Sequence, residues 1–192
     1  MSLRIVPFTP DHLEAAAALL AARLQRDRVV FPELPAAFEE PAAAVPILRA
    51  LLAAESASGV VALDAGSVIG YLLGATEVGS PTRAFAGFML PRAADIAFAG
   101  HAVPSGAGAS LTPRLYGALA QRWVRHGHTG HYVSVPMYQA ASAPWWDLGF
   151  GHFIALGVRS TTVQDEPEAR PRQDLEFRRA TMDDEDVVQD AL

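Results

Sequence analysis

The sequence has no cysteine, no lysine and no asparagine among its 192 residues. Without cysteine it has no disulfide, no thiolate metal ligand and no cysteine nucleophile. Because lysine is absent, all fifteen cations are arginines, a usage that fits the codon bias of a GC-rich genome better than any chemistry. No apolar run reaches the length of about 18 residues that a membrane-spanning helix needs. The amino terminus carries Asp11 and Glu14 among its apolar residues, and no charged region precedes a hydrophobic one, unlike a secretory signal. Excess positive charge is missing too. A net charge of -6 and a pI near 5.4 argue against nucleic acid or an anionic membrane as the main partner.

What is present suffices for a core. Half of the residues (51%) are hydrophobic and 19% are charged, which excludes wholesale disorder. The length suits one domain and is short for two. These features predict a soluble, cytoplasmic globular domain.

Leu3 to Phe8 alternates as a short strand, and Thr9-Pro10-Asp11 supplies an N-cap and a first-turn proline. Leu13, Ala16, Ala17, Leu20 and Leu24 then mark one face of a helix ending near Arg28. Pro32, Pro35, Pro41 and Pro46 make residues 31–46 mostly loop, before a second helix that buries Ile47, Leu48, Leu51 and Leu52. Gly59 to Leu63 and Val68 to Thr76 flank Asp64-Ala65-Gly66 and read as a hairpin. Ala84 to Pro91 is a further short strand or an irregular insertion, and Asp95 to Val103 is a central strand. The small-residue loop Pro104 to Ser110 leads into a helix with Thr112 as N-cap, Pro113 at its first position and Gly127 just past its end. Leu115, Leu119 and Trp123 form its apolar stripe. His131 to Pro136 is a strand, Gln139 to Leu148 a short helix and Phe153 to Arg159 a last strand. The order predicts an α/β (α+β) fold with a mixed, mostly antiparallel sheet flanked by helices.

After Thr162 the texture changes. Residues 163–173 are polar and proline-containing and read as a linker between a domain at 1–162 and a segment at 174–192. That segment repeats the beginning of the chain. Leu175-Glu176-Phe177-Arg178 aligns with Leu3-Arg4-Ile5-Val6, Thr181-Met182-Asp183 with Thr9-Pro10-Asp11, and Ala191-Leu192 with Leu19-Leu20, at a constant offset of 172 residues. The spacing suits a tandem domain, of which residues 174–192 are the opening strand and a helix that continues past Leu192. A strand followed by Thr-x-Asp and a helix is also a common local solution, which leaves coincidence open.

The run from Leu115 to Arg159 resembles the GNAT superfamily of acetyl-CoA-dependent N-acetyltransferases. The matching elements are a helix ending in Trp123-x-x-x-Gly127, a strand closing at Val135-Pro136, a short Ala-rich helix, and Leu148-Gly149-Phe150-Gly151 before the last strand. With the opening elements in the same order, the resemblance covers nearly all of residues 3–160 and implies an acyl-CoA N-acyltransferase-like fold. It also implies acetyl-CoA as co-substrate and a small-molecule or peptide amine as acceptor. Packing against a second domain of this kind, or a homodimer, is a further implied partnership.

The resemblance places the pantetheine arm near the backbone of Ala102 and Val103, and the pyrophosphate near Gly106, Gly108, Ala109 and Ser110. The loop departs from the family's pattern. No Gln or Arg precedes its glycines, and Leu111 and Pro113 fall near positions where the family has glycine. The tyrosine that the family uses to protonate the thiolate is replaced by Trp145, with Tyr138 as the substitute at hand. Trp145 and Trp146 then read as core or interface aromatics. His101, at the end of the central strand, is the candidate base, and Glu77 at the end of the third strand is a second. Each also has a plain structural reading, His101 as a strand histidine bonded to backbone. Glu33, Glu39 and Glu40 lie where the family's acceptor loop would be and are either a lure for a cationic amine or a solvated face. His126, His128 and His131 straddle a helix end, a turn and a strand start, so no metal site is expected. Two readings stand: an active N-acetyltransferase, or a catalytically degenerate domain that shapes substrate or structure beside an active second one. A third is a free-standing binding module anchored on the paired tryptophans.

Overall fold

In the computed structural model, which describes residues 3–76, 90–158, 178, 181 and 184, a hairpin sets the frame. β2 (Ala57–Asp64) and β3 (Ser67–Ala75) are joined by Ala65 and Gly66, both at positive φ, +48° and +86°. Two such residues form the tight turn whose twist matches paired strands. β1 (Arg4–Pro7) lies antiparallel on the outer edge of β2. On the far side of β3 runs β4 (Ala93–Ile96), and β6 (Gly130–Val133) continues the sheet parallel to β4. The short β5 (His101–Ala102) returns to β3. The sheet is mixed and mostly antiparallel, as the element order predicts.

Helices cover both faces. α1 (Leu13–Val30) and α2 (Pro41–Leu52) pack Leu20, Leu24 and Leu48 on Val61, Tyr71 and Leu73. α3 (Gly108–Arg125) and α4 (Gln139–Trp146) pack Leu115, Leu119, Trp123 and Trp145 on Ala62, Leu72 and Ile96. Both α3 and α4 end in a glycine at positive φ, Gly127 at +85° and Gly149 at +87°. At each end two N–H groups fold back, His128 and Gly127 onto Trp123 and Val124, and Phe150 and Gly149 onto Trp145 and Trp146. This is the left-handed helix stop that glycine makes cheap.

Four elements differ from the sequence expectation. α2 begins at Pro41, six residues earlier than the proline count suggests, because Pro41 occupies its first position and Pro46, which supplies no N–H to the Ala42 carbonyl one turn before it, lies on an exposed side of the helix. α3 begins at Gly108 instead of after Thr112, so Thr112 is buried inside the helix and Pro113 sits within it. Residues 151–158 hold no strand; Phe153, Leu156 and Val158 are exposed there. The expected central strand 95–103 is split. Asp95 pairs with Ala75 and His101 with Leu72, so two residues of β3 face five between Asp95 and His101. The surplus is taken up in a 3-10 turn, Phe98–Gly100, closed by Gly100 N–H on the Ala97 carbonyl at 2.7 Å. Only glycine fits at its end, where a Cβ on Gly100 would stand 2.3 Å from the Leu73 carbonyl oxygen.

The chain divides into two compact units, Met1–Val158 and Arg159–Leu192. Among the described residues no helix is long and apolar enough to cross a membrane. Residues 84–89 of the expected strand or insertion at 84–91, and most of 174–192, lie outside the described residues.

Candidate active site

The split of the central strand creates a wedge in the sheet. β6 stays with β4 as far as Ser134, whose N–H reaches the Ile96 carbonyl at 3.0 Å, while His101–Val103 turns back to β3. Beyond that point one side-chain bond spans the gap: His101 Nε2–H donates to the Ser134 carbonyl at 3.0 Å. This assigns the neutral imidazole proton to Nε2.

The gap-facing carbonyls of His101 and Val103 are both taken by arginines of α1. Arg23 Nη1 donates to the His101 carbonyl at 2.6 Å, and Arg26 Nη2 to the Val103 carbonyl at 3.1 Å. Arg23 also stands 4.5 Å over the Phe98 ring and 3.3 Å from His101 Nε2, and its Nε donates to Asp27 Oδ2 at 3.2 Å. Tyr138, the N-cap of α4, donates its hydroxyl to the other oxygen, Asp27 Oδ1, at 2.7 Å. One network therefore ties α1, β5, the end of β6 and the start of α4 around the wedge.

His101, Arg23 and Asp27 are buried, Asp27 completely. Burial, reinforced by the neighbouring Arg23 charge and opposed by the Ser134 carbonyl, lowers the His101 imidazole to about 3. It is neutral at physiological pH. Burial and the Asp27 carboxylate push the Tyr138 phenol up to about 12, making it a weaker acid than an ordinary tyrosine. Burial lowers the Arg23 guanidinium from its usual range, with Asp27 pulling the other way.

The structure thus brings His101 and Tyr138 into one network, through Arg23 and Asp27. Ala102 is buried with its partner Tyr71 on β3, and Val103 gives its carbonyl to Arg26 while its side chain packs against the core beneath α3. Gly106 turns at φ +75° with open space around it. Gly108 opens α3 against α4, where a Cβ would lie 2.9 Å from Pro144 Cγ. The N–H groups of Gly108 and Ala109 have no carbonyl of their own helix to meet, while Ser110 folds its hydroxyl back on the Ala107 carbonyl at 3.1 Å. Trp145 is buried, edge-on to His101 at 5.5 Å and to Phe150 at 5.4 Å. Glu77 lies outside the described residues. Glu39 pairs with Arg28 on α1, while Glu33 and Glu40 are exposed. His131 lies between the Tyr116 hydroxyl at 2.8 Å and the His128 carbonyl at 3.1 Å, and His126 bonds the Arg122 carbonyl. No three metal-ligating side chains converge among the described residues.

Sequence reasoning missed Arg23, Arg26 and Asp27. The signal was there for two of them. Positions 13, 16, 20, 23 and 27 continue one helical face, so Arg23 and Asp27 are an i,i+4 charge pair on the buried stripe of α1.

The sequence matches no family model and no curated protein. Solved structures do resemble the chain. A GCN5-related N-acetyltransferase from Ralstonia eutropha JMP134 superposes over 84% of this chain and all of its own, at 13% identity and a TM-score of 0.59. The fold is that of the GCN5-related N-acetyltransferases. An aminoglycoside N-acetyltransferase in complex with CoA matches over 84% of this chain and 96% of its own, at 16% identity and a TM-score of 0.56. A 6'-N-acetyltransferase of aminoglycoside antibiotics from Acinetobacter baumannii matches over 85% of this chain and all of its own, at 14% identity and a TM-score of 0.54.

Proposed function

We propose that this GNAT-fold protein is an acetyl-CoA-dependent N-acetyltransferase acting in the cytoplasm on a primary amine of a small molecule or peptide. The observation that carries this reading is the wedge between His101–Val103 and Ser134–Pro136, opened by the 3-10 turn at residues 98–100 and leading to Gly106 and the amino end of α3. An extended acyl donor has strand backbone on one side of such a gap, and its phosphates have first-turn N–H groups at the end of it. Ala102, Val103, Gly106, Gly108, Ala109 and Ser110 are the groups proposed to line that path. In the transfer, an amine nitrogen attacks the thioester carbonyl, a C–N bond forms and the C–S bond breaks. The ammonium proton goes to a base, for which His101 and Glu77 are the candidates, and the thiolate takes up a proton, for which Tyr138 is the candidate.

A second reading is a catalytically degenerate domain that shapes substrate or structure beside an active second one. Two observations favour it. The His101 imidazole and Tyr138 hydroxyl are both engaged in the wedge network, the first lowered to about 3 and the second raised to about 12, away from the neutral range that proton transfer needs. The helix start at Thr9 is also repeated 172 residues on. Thr9 N–H bonds His12 Nδ1 at 3.0 Å and His12 N–H returns to the Thr9 carbonyl, while Thr181 N–H bonds Asp184 Oδ2 at 2.8 Å and Asp184 N–H returns to Thr181. The match supports residues 174–192 as the opening of a tandem domain, joined by 163–173.

Titration calorimetry of acetyl-CoA into the full chain, with thiol release followed over a panel of primary amines, separates the two. One-to-one binding with turnover supports the acetyltransferase. Binding without turnover on any amine, or no binding at all, overturns it in favour of the degenerate domain.

A further inference from the structure

We infer that α1 carries an internal competitor of the acyl donor: Arg26, on the Val103 carbonyl, and Arg23, on the His101 carbonyl, hold the two wedge-edge acceptors that an amide-bearing arm would use. The inference rests on the acetyltransferase reading of the wedge. His101 and Val103 are two residues apart on one extended segment, so their carbonyls face the same edge about 7 Å apart. Across the gap, the Ser134 carbonyl is engaged by the His101 ring. A donor whose arm presents amide N–H groups to that edge therefore meets carbonyls that already carry an arginine each, and competes with those side chains for the space in front of them.

The two arginines are unequal competitors. Arg23 is 5% exposed and fixed by Asp27, Phe98 and His101, so its release would leave Asp27 buried without its cation. Arg26 is half-buried, and its bonds run to two backbone carbonyls, Ala22 at 3.0 Å and Val103 at 3.1 Å. It can swing to solvent without stranding a charge. Entry of the donor displaces Arg26 from Val103, and Arg23 stays as the inner stop of the wedge. Arg26 thereby sets donor affinity without touching the reacting atoms.

The test uses the full chain and coenzyme A itself. Coenzyme A is an anion, so removing any nearby arginine lowers its affinity through the general field. An internal competitor predicts the reverse. Arg26→Ala is expected to bind coenzyme A about tenfold tighter than the wild type, equivalent to about 1.4 kcal/mol. Arg26→Lys, which keeps the charge and a donor, is expected to bind close to wild type. The exposed Arg122→Ala is the control for charge alone and should not tighten binding. Equal or weaker binding by Arg26→Ala, with measurable binding by the wild type, overturns the competitor and leaves the acetyltransferase reading intact. Absence of binding by both overturns the two together.

Discussion

Arg23 and Asp27 stand one turn apart on the buried face of α1, joined from Nε to Oδ2 at 3.2 Å, with side chains 7% and 0% exposed. The pair draws its remaining partners from three other elements: the carbonyl of His101, the ring of Phe98 and the hydroxyl of Tyr138. A buried pair of this kind contributes little net stability compared with apolar packing, but breaking it is costly because the survivor keeps its charge without compensation.

Asp27→Ala is therefore expected to destabilise the domain by about 3–5 kcal/mol. Arg23→Met combined with Asp27→Leu should cost clearly less than the sum of the single changes, since no charge is stranded. Urea denaturation of Arg23→Met, Asp27→Leu and the double variant gives the coupling directly. Simple additivity would remove the pair from its place at the centre of the wedge.

His101 makes a pH prediction. Its folded value of about 3 lies below the ordinary value of 6.5, so between these limits the unfolded chain binds the proton more readily. Stability from the neutral, bonded imidazole is complete above about pH 6.5 and is lost as pH falls toward 3, with a slope of at most about 1.4 kcal/mol per unit. His131, lowered mainly by desolvation, acts in the same sense. Comparison with His101→Gln isolates the part due to His101. The wild-type advantage over that variant should be constant above pH 7 and shrink between pH 6 and 4. Parallel stability curves across that range would show that the ring is not held neutral by the fold.

Local chemistry made much of this architecture legible in the sequence. Asp64-Ala65-Gly66, Gly127 and Gly149 announce their turns because positive φ restricts the residue choice, and the stripe of Leu115, Leu119 and Trp123 announces a buried face. The elements that build the wedge were harder to read. The break after Ile96 depends on the register of β3 against residues far along the chain, and nothing local marks Phe98–Gly100 as a turn. Pro113 and Thr112 read as a helix start because proline and threonine favour that place, yet packing of Gly108 on Pro144 extends the helix a turn earlier. His101 and Tyr138 were singled out from sequence, but what couples them is Asp27, from a helix 111 residues before Tyr138.

Two glycines should respond to alanine with opposite signs. A Cβ on Gly100 meets the Leu73 carbonyl at 2.3 Å and Ile96 Cγ2 at 3.2 Å, so either the turn or β3 must move. Overpacking of that kind costs about 1–3 kcal/mol. Gly117 lies on the exposed side of α3 with nothing within 4 Å of a Cβ. There alanine gains helix propensity and is expected to stabilise by about 0.5–1 kcal/mol. Urea midpoints of Gly100→Ala and Gly117→Ala against wild type check both. A neutral Gly100→Ala would mean that the turn which opens the wedge is not held by contact with β3.

Trp123 anchors the other end of the sheet. Its ring is 1% exposed beneath Gly74, where a Cβ would stand 2.9 Å from the indole, and its Nε1–H donates to Ser58 Oγ at 2.8 Å. Ser58→Ala leaves a buried donor without its acceptor, a loss of about 1–3 kcal/mol in general. Here the lower end is expected, because Ser58 and Trp123 also line a pocket of about 220 Å³, from which water can replace the hydroxyl once Ser58 is truncated. Trp123→Phe removes the donor along with ring volume, so Ser58→Ala should cost less in the Trp123→Phe background than in the wild type. The expected coupling is about 1 kcal/mol. Chemical denaturation of the four members of that cycle measures it, and a coupling of zero would mean that water already satisfies the indole without Ser58.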